Sequence, residues 1–176
     1  MVSHPATNRS LAFALVLFAI GSPASATSIT TSLTSTQDSY IQSGTPNTNY
    51  GNAAVAQIKR DNGTNFTRKT YLGFDLRTLP TGSLTNASLS FEFVDSGGGM
   101  TGVATNWGFE LFGLTDQALD GWSESTITWN NAPANNTSNT NLPAQVDLTK
   151  ATSLATFNRT GEGLGPVTIA NANLLN

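Results

Sequence analysis

The chain has 176 residues, of which 38% are hydrophobic and 11% are charged, and its formal net charge is -3. Soluble domains carry about 25% charged residues, so Ser, Thr, Asn and Gly take the place of charge here, as is typical of exported β-rich proteins. The weakly acidic balance argues against a nucleic-acid partner, because phosphate binding requires a broad basic surface.

The first 26 residues have the pattern of a cleaved signal peptide. A polar start with Arg9 is followed by the apolar run LAFALVLFAI, and Ala24 and Ala26 match the cleavage rule. The run is too short to span a bilayer, which requires about 20 apolar residues. We therefore predict a secreted or cell-surface protein without a membrane span, in which residues 27–176 form a single domain.

Loss of the signal peptide would remove His4, which is the only histidine, and the chain has no cysteine. Catalysis by Ser–His or Cys–His, metal sites built from His or Cys, and disulfides are therefore excluded. The remaining residues, about 150, must be stabilised by core burial, which that length allows in one domain.

Short strands are predicted along the rest of the chain by alternating apolar residues. TYLGFDL places Leu72, Phe74 and Leu76 on one face, SLSFEFV alternates in the same way, and the two apolar faces of WGFELFGL predict a central strand. Shorter candidates are Tyr40–Gln42, Ala54–Arg60, Thr126–Trp129, Gln145–Leu148, Leu154–Asn158 and Val167–Ala170. Turn clusters separate them and no stretch has a helical period, so we predict an all-β antiparallel sandwich of the jelly-roll type.

Three segments in order carry a family resemblance: DSYIQSGTPNTNYGNAAVAQIKR, RKTYLGFDLRTLPTGSLTNASLSFEF and DGWSESTITWNNAP. Over roughly residues 36–133 the chain resembles the DNRLRE-type module, which is grouped with family 96 carbohydrate-binding modules. The resemblance implies an extracellular jelly roll that binds polysaccharide, with alginate-like acidic sugars as the ligand type. Gly73 departs from the family pattern, which usually has a basic residue there, so a ligand contact at that position is absent.

The C-terminal end differs from the family pattern. The resemblance weakens after Pro133, and TIANANLLN stops where such modules continue into further strands. We therefore expect a C-terminally incomplete module whose last strands lie beyond Asn176, within a longer surface protein or enzyme. The strand near Tyr40 would then have an unpaired edge, which favours aggregation.

WSESTITWNNAP, residues 122–133, has a structural and a functional interpretation. Trp129 is in phase with the apolar Ile127, which favours the core, and Trp122 lies at a strand entry, where a large ring often caps a core edge. The alternative is a sugar-stacking platform. We favour the structural interpretation. The predicted strand is closed by NNAP, because Pro133 lacks the N–H needed in a ladder.

A candidate ligand site comes from the cations that flank the turn DNGTNFT: Lys59, Arg60, Arg68 and Lys69. If Ala54–Arg60 and Arg68–Leu76 form a hairpin, matching their apolar faces places Lys59 opposite Lys69 on the outer side. Like charges directly opposite each other are unfavourable in a sheet. The pair is therefore expected to bind an anion such as a polyuronate.

Two neutral side chains complete this predicted site. Gln57 would lie opposite Tyr71 on the same outer face, so that Gln57 binds hydroxyl groups and Tyr71 contacts a sugar ring. The alternative is that the lysines protect an edge strand, or that they pair with Asp61 or Asp75.

Catalysis and metal binding are weaker interpretations. A glycosidase needs two carboxylates that flank the scissile bond, and a lyase could use Tyr71 with Lys69. The available acidic side chains follow no such signature: Glu110, Asp116, Asp120 and Glu124. We therefore predict that the protein is not an enzyme.

No cofactor is predicted, and a structural Ca²⁺ is the alternative. Asp38, Asn47 and Asn49 offer the oxygen ligands that Ca²⁺ prefers, although Asn and Asp in turns also satisfy local backbone groups without a metal. The predicted function is a non-catalytic module that binds polysaccharide. A spacer module of a surface or matrix protein, without a sugar ligand, is the alternative.

Overall fold

A computed structural model describes residues 28–61, 65–95, 106–137, 146–160 and 164–175. The predicted signal peptide, residues 1–26, lies outside these ranges. The chain divides into the units Met1–Thr31 and Ser32–Asn176, and every strand described below belongs to the second. None of the described residues forms a helix that is long and apolar enough to cross a membrane.

The described ranges contain β-strands and short 3-10 turns. The strands are β1 (Gln37–Gln42), β2 (Arg68–Gly73), β3 (Ser88–Phe93), β4 (Asn106–Leu114), β5 (Ala151–Thr160) and β6 (Gly165–Ala170). The 3-10 turns cover Leu76–Thr78, Gln117–Gly121 and Ala172–Leu175. The strands pair in antiparallel ladders, β1 with β2, β3 with β6 and β4 with β5. The predicted all-β, antiparallel class is confirmed.

The predicted strands within β1, β3, β4, β5 and β6 are present, whereas two others are wrong. Ala54–Arg60 forms no strand, and only Lys59 makes a bridge in it. Alanine is depleted in strands, which agrees with this difference. Thr126–Trp129 forms turns, because the Ile127 N–H donates to the Ser123 carbonyl oxygen and the Asn131 side chain accepts from the Thr128 N–H. Such local hydrogen bonds compete with pairing in a sheet.

Two more predicted strands are shorter than expected. β2 ends at Gly73, and the Asp75 carboxylate then accepts from the Arg77 N–H and caps the following 3-10 turn. Of Gln145–Leu148, only Val146 makes a bridge, to Asn135, and residue 145 lies outside the described ranges. A local side-chain hydrogen bond of this kind can end a strand, and the alternation of apolar residues does not predict it.

The prediction that WGFELFGL is a central strand buried on both faces is also wrong. Within the described ranges, β4 pairs with β5 alone, and Gly108 and Glu110 are exposed while Trp107 and Phe109 are half-buried. A bulge between Leu111 and Phe112 interrupts the register. The strand therefore has one packed and one solvated face over its first half, as antiparallel sheets commonly do.

Apolar side chains form two groups in the described part of the chain. Phenyl rings of β3, β4 and β5 contact each other, with centroids between 5.0 and 6.4 Å apart: Phe91, Phe93, Phe109 and Phe157. The most buried group lies on β1 and on the Trp-rich stretch: Ile41, Ile127, Trp129 and Ala132. Tyr71 and Trp122 pack against that group. The predicted core position of Trp129 is thus confirmed, although the stretch forms turns rather than a strand.

Asn49 connects the loop after β1 to the Trp-rich stretch. Its Nδ2 donates to the carbonyl oxygens of Glu124 and Ile127, at 2.7 and 2.8 Å, and its Oδ1 accepts from the Gly51 N–H. A Cβ at Gly51 would lie 2.0 Å from the Glu124 carbonyl oxygen. Glycine is required there because the two backbone segments approach so closely.

Candidate functional site

The β1–β2 ladder has two faces, which differ in their surroundings. Ile41 pairs with Lys69 and Ser39 with Tyr71 on one face, which we call the core face. The other, called the polar face, carries the pairs Tyr40–Thr70 and Gln42–Arg68. Tyr40 is buried there because Tyr50 stacks on it, with ring centroids 4.3 Å apart.

Lys59 extends the ladder on the other edge of β2. The Lys59 N–H donates to the Arg68 carbonyl oxygen and the Arg68 N–H to that of Lys59, at 3.1 and 2.8 Å. One step further, Thr70 Oγ1 donates to the Gln57 carbonyl oxygen at 3.1 Å. Lys59 therefore lies opposite Arg68, and Gln57 lies opposite Thr70.

The predicted register, with Lys59 opposite Lys69 and Gln57 opposite Tyr71, is wrong by one residue. Such a shift moves every side chain of one strand to the other face. The prediction placed Leu72 in the core, whereas Leu72 is 38% exposed and Ile58 48% exposed. Tyr71 packs against the core in place of Leu72, and its large ring buries much apolar surface there.

Lys69 lies on the core face, away from Lys59. Its Nζ is 4.8 Å from the centroid of the Trp129 ring and donates to Asn135 Oδ1 at 2.6 Å. Burial lowers the pKa of Lys69 from its ordinary value of 10.5 to about 8. This lysine connects β2 to the Trp-rich stretch and does not contribute to an exposed cationic pair.

Tyr71 also lies on the core face. Its hydroxyl donates to the Pro133 carbonyl oxygen at 3.0 Å, and its ring meets the edge of Trp122 with centroids 5.9 Å apart. Burial raises the pKa of Tyr71 well above its ordinary value. Both the hydroxyl and the ring of this side chain are thus engaged in packing on the core face.

The polar face carries the exposed Lys59 and the half-buried Arg68, and the exposed Arg60 follows Lys59 on the chain. We call these three cations the basic cluster. Arg68 Nε donates to Gln42 Oε1 at 2.8 Å, which fixes its guanidinium. Burial raises the pKa of Tyr40, Tyr50 adds to the rise, and the nearby Arg68 acts in the opposite direction.

The basic cluster has no salt bridge within the described ranges. Elsewhere in the described ranges, Arg77 forms a salt bridge with Asp75, and Lys150 with Asp147. Asp75 is thus engaged with its neighbour on the chain, rather than with a lysine as the alternative interpretation proposed. The cluster is a local excess of positive charge on a chain whose net charge is -3.

Phe66 is a feature of this surface that the sequence prediction missed. It is 51% exposed, and Lys59 Nζ lies 5.2 Å from its ring centroid. The signal was present in the turn DNGTNFT, where a single aromatic residue stands among polar residues and between cations.

The candidate catalytic carboxylates have separate positions and structural roles. Asp116 accepts from the Ala118 N–H and caps a 3-10 turn, Glu124 accepts from the Asp38 N–H, and Glu110 lies on the exposed face of β4. Asp116 and Glu124 thus serve as acceptors for backbone N–H groups.

Two of the residues proposed to hold Ca²⁺, Asn47 and Asn49, form side-chain hydrogen bonds within the fold. Asn49 uses its amide nitrogen and oxygen within the fold, and Asn47 Oδ1 accepts from Asn130 Nδ2 at 2.8 Å. A search of the described ranges finds no group of three or more acidic, His or Cys side chains that could hold a metal ion. Ca²⁺ binds through several converging oxygen atoms, and the structural Ca²⁺ stays a prediction.

Comparison with known proteins identifies one family. The model of carbohydrate-binding module family 96 matches residues 29–151, which is more than half of the chain. The matched range contains β1 to β4, the Trp-rich stretch and the basic cluster. No curated protein matches the chain.

Proposed function

The chain belongs to carbohydrate-binding module family 96, and from this premise we propose that it is a non-catalytic module that binds an acidic polysaccharide such as alginate. The observation that supports an anionic ligand is the bridge between Lys59 and Arg68. Two cations directly opposite each other on neighbouring segments repel each other, and a carboxylate placed between them would relieve that repulsion.

The chemistry of the two cations suits a uronate. An arginine guanidinium can donate two parallel hydrogen bonds to one carboxylate. Arg68 uses Nε for Gln42, so its terminal nitrogens are the donors proposed for the ligand. Lys59 and Arg60 would add positive charge, and the side-chain amide of Gln57 would bind sugar hydroxyl groups.

The magnitude of each contact favours a polymer over a single sugar. Exposed ion pairs contribute roughly 0.2–1 kcal/mol each. A short cluster of them gives weak binding to a monosaccharide, whereas a polyuronate presents a carboxylate on every residue and so offers many equivalent binding positions. Because such contacts are exposed, salt should weaken them.

We also propose that the module is secreted and belongs to a larger surface protein or enzyme. The pattern of residues 1–26 supports secretion. In that setting the module would hold its parent protein on the polysaccharide.

Affinity electrophoresis tests the proposal against the spacer alternative. The protein is run in native gels that contain sodium alginate, a neutral glucan or no polymer, with an unrelated acidic protein as the mobility control. We expect retardation in the alginate gel and none in the glucan gel. Unchanged mobility in every gel would contradict the proposal and favour a spacer.

A further inference from the structure

Phe66 is a large apolar side chain that the fold holds at the surface beside the basic cluster. It is 51% exposed even with Lys59 against its ring. Fully burying an exposed ring of this kind stabilises a protein by roughly 1.5–3 kcal/mol, and about half of the Phe66 surface is still exposed. The sequence leaves that stabilisation unused at this position.

The residue after Phe66 is firmly anchored. Thr67 is 1% exposed, and its Oγ1 donates to the Asp61 carbonyl oxygen and accepts from the Asp61 N–H. Its backbone N–H donates to Ser43 Oγ, and its carbonyl oxygen accepts from the Ser43 N–H at 3.1 Å.

The residue before Phe66 is also constrained. A Cβ on Gly44 would lie 2.2 Å from the Asn65 carbonyl oxygen, so the two backbone segments are in close contact. An exposed ring between two anchored neighbours loses little conformational freedom when a ligand binds, and such preorganisation favours affinity.

The position of the ring relative to the cations is the second observation. Lys59 Nζ is 5.2 Å from the Phe66 centroid, and Lys59 is paired through its backbone with Arg68. A uronate residue has a carboxylate on a ring whose C–H groups form an apolar surface. An aromatic ring next to paired cations is complementary to both parts of that sugar.

We propose that Phe66 is the stacking platform for a sugar ring whose carboxylate lies on Lys59 and Arg68. This inference rests on the proposed function and adds an apolar contact to it. It predicts that affinity has one component that salt removes, from the cations, and one that salt leaves in place, from Phe66.

The test compares Phe66→Ala, Phe66→Leu and Phe66→Tyr with the unchanged protein, using sodium alginate in a titration at low and at high salt. We expect Phe66→Ala and Phe66→Leu to weaken binding by about tenfold at both salt concentrations, while Phe66→Tyr keeps the ring and binds as the parent does. Leu84→Ala is the matched control, because Leu84 is also exposed, at 56%, outside this surface.

Each outcome separates this inference from the proposed function. If the parent protein binds alginate and Phe66→Ala binds equally well, the platform is wrong and the anionic site stands. If Phe66→Ala lowers Tm as well as affinity, binding by Phe66→Leu decides: parent-like affinity there overturns the platform, and weakened affinity supports it. If the parent protein does not bind alginate, the proposed function is at fault.

Discussion

Lys59 and Arg68 exchange both of their backbone hydrogen bonds and thereby place two cations side by side. In an antiparallel pair of this kind the two side chains lie on the same face, where like charges are destabilising. Lys69, which the sequence predicted to be the partner of Lys59, lies instead over Trp129 on the core face. Substitutions in the basic cluster should therefore change polysaccharide binding, whereas substitution of Lys69 should change stability.

Tyr71→Phe should destabilise the protein without changing polysaccharide binding. The substitution removes the hydroxyl that donates to the Pro133 carbonyl oxygen and leaves that half-buried acceptor without its partner. A lost hydrogen bond of this kind costs about 1 kcal/mol, or roughly 3 °C in Tm for a domain of this size. Thermal melts and an alginate titration measure the two effects. A loss of affinity in a variant that retains its fold would return Tyr71 to the ligand site.

Stability should rise with pH between about 8 and 10.5 on account of Lys69. Burial lowers the pKa of Lys69 to about 8 in the folded chain, while the unfolded chain keeps that proton up to about 10.5. The unfolded state therefore binds more protons in this window, so raising the pH favours folding. The contact with Trp129 favours the charged form and reduces the gain, which we expect to stay below about 3 kcal/mol.

Tyr71 limits that rise at higher pH. Above about pH 10 the phenol ionises in the unfolded chain, whereas burial keeps it protonated in the folded chain. The unfolded state then binds fewer protons, so stability falls as the pH rises further. Denaturant unfolding of the parent and of Lys69→Met at several pH values isolates the lysine, because only the parent should gain stability between pH 8 and 10. Equal slopes in both proteins would exclude Lys69 as the cause.

Gly51→Ala should destabilise the protein by about 2–3 kcal/mol, as overpacking does. The new Cβ would lie 2.0 Å from the Glu124 carbonyl oxygen and would force apart the segments that Asn49 joins. Gly121→Ala is the matched control, since a Cβ there meets no atom within 4 Å. Denaturant unfolding of both variants checks this, and equal midpoints would show that the contact at Gly51 can relax.

A chelator should leave the thermal unfolding midpoint unchanged. Asn49 and Asn47, which the sequence offered as Ca²⁺ ligands, use their side-chain amides for hydrogen bonds within the fold. Melts with EDTA and with added CaCl₂ measure this directly. A midpoint that falls with EDTA and recovers with CaCl₂ would show a metal site built from other oxygen atoms.

The fold could be predicted to the extent that its signals are local. Alternation in SLSFEFV is read within a few residues, and β3 forms where it was expected. The position of Trp129 in the core was also predicted from its phase with Ile127, although the stretch forms turns rather than a strand.

The candidate site was predicted less well because distant contacts determine its register. Alanine is a weak signal for a buried face, so Ala54 and Ala56 do not determine the register. Which face of β2 is buried depends on Tyr71, whose hydroxyl donates to Pro133, 62 residues away. Asn49 shows the same effect, since its role depends on Glu124, 75 residues further along the chain. Hydrogen bonds between residues so far apart leave no periodic pattern in the sequence.

The anionic site is tested most directly by the double substitution Lys59→Ala and Arg68→Ala, titrated with sodium alginate over a series of salt concentrations. Arg77→Ala combined with Lys150→Ala is the control, because it removes the same positive charge from cations that pair with Asp75 and Asp147. We expect the site variant to lose about tenfold in affinity at low salt and to depend less on salt, while the control binds as the parent does. Binding by the site variant with the parent's affinity and salt dependence would contradict the account.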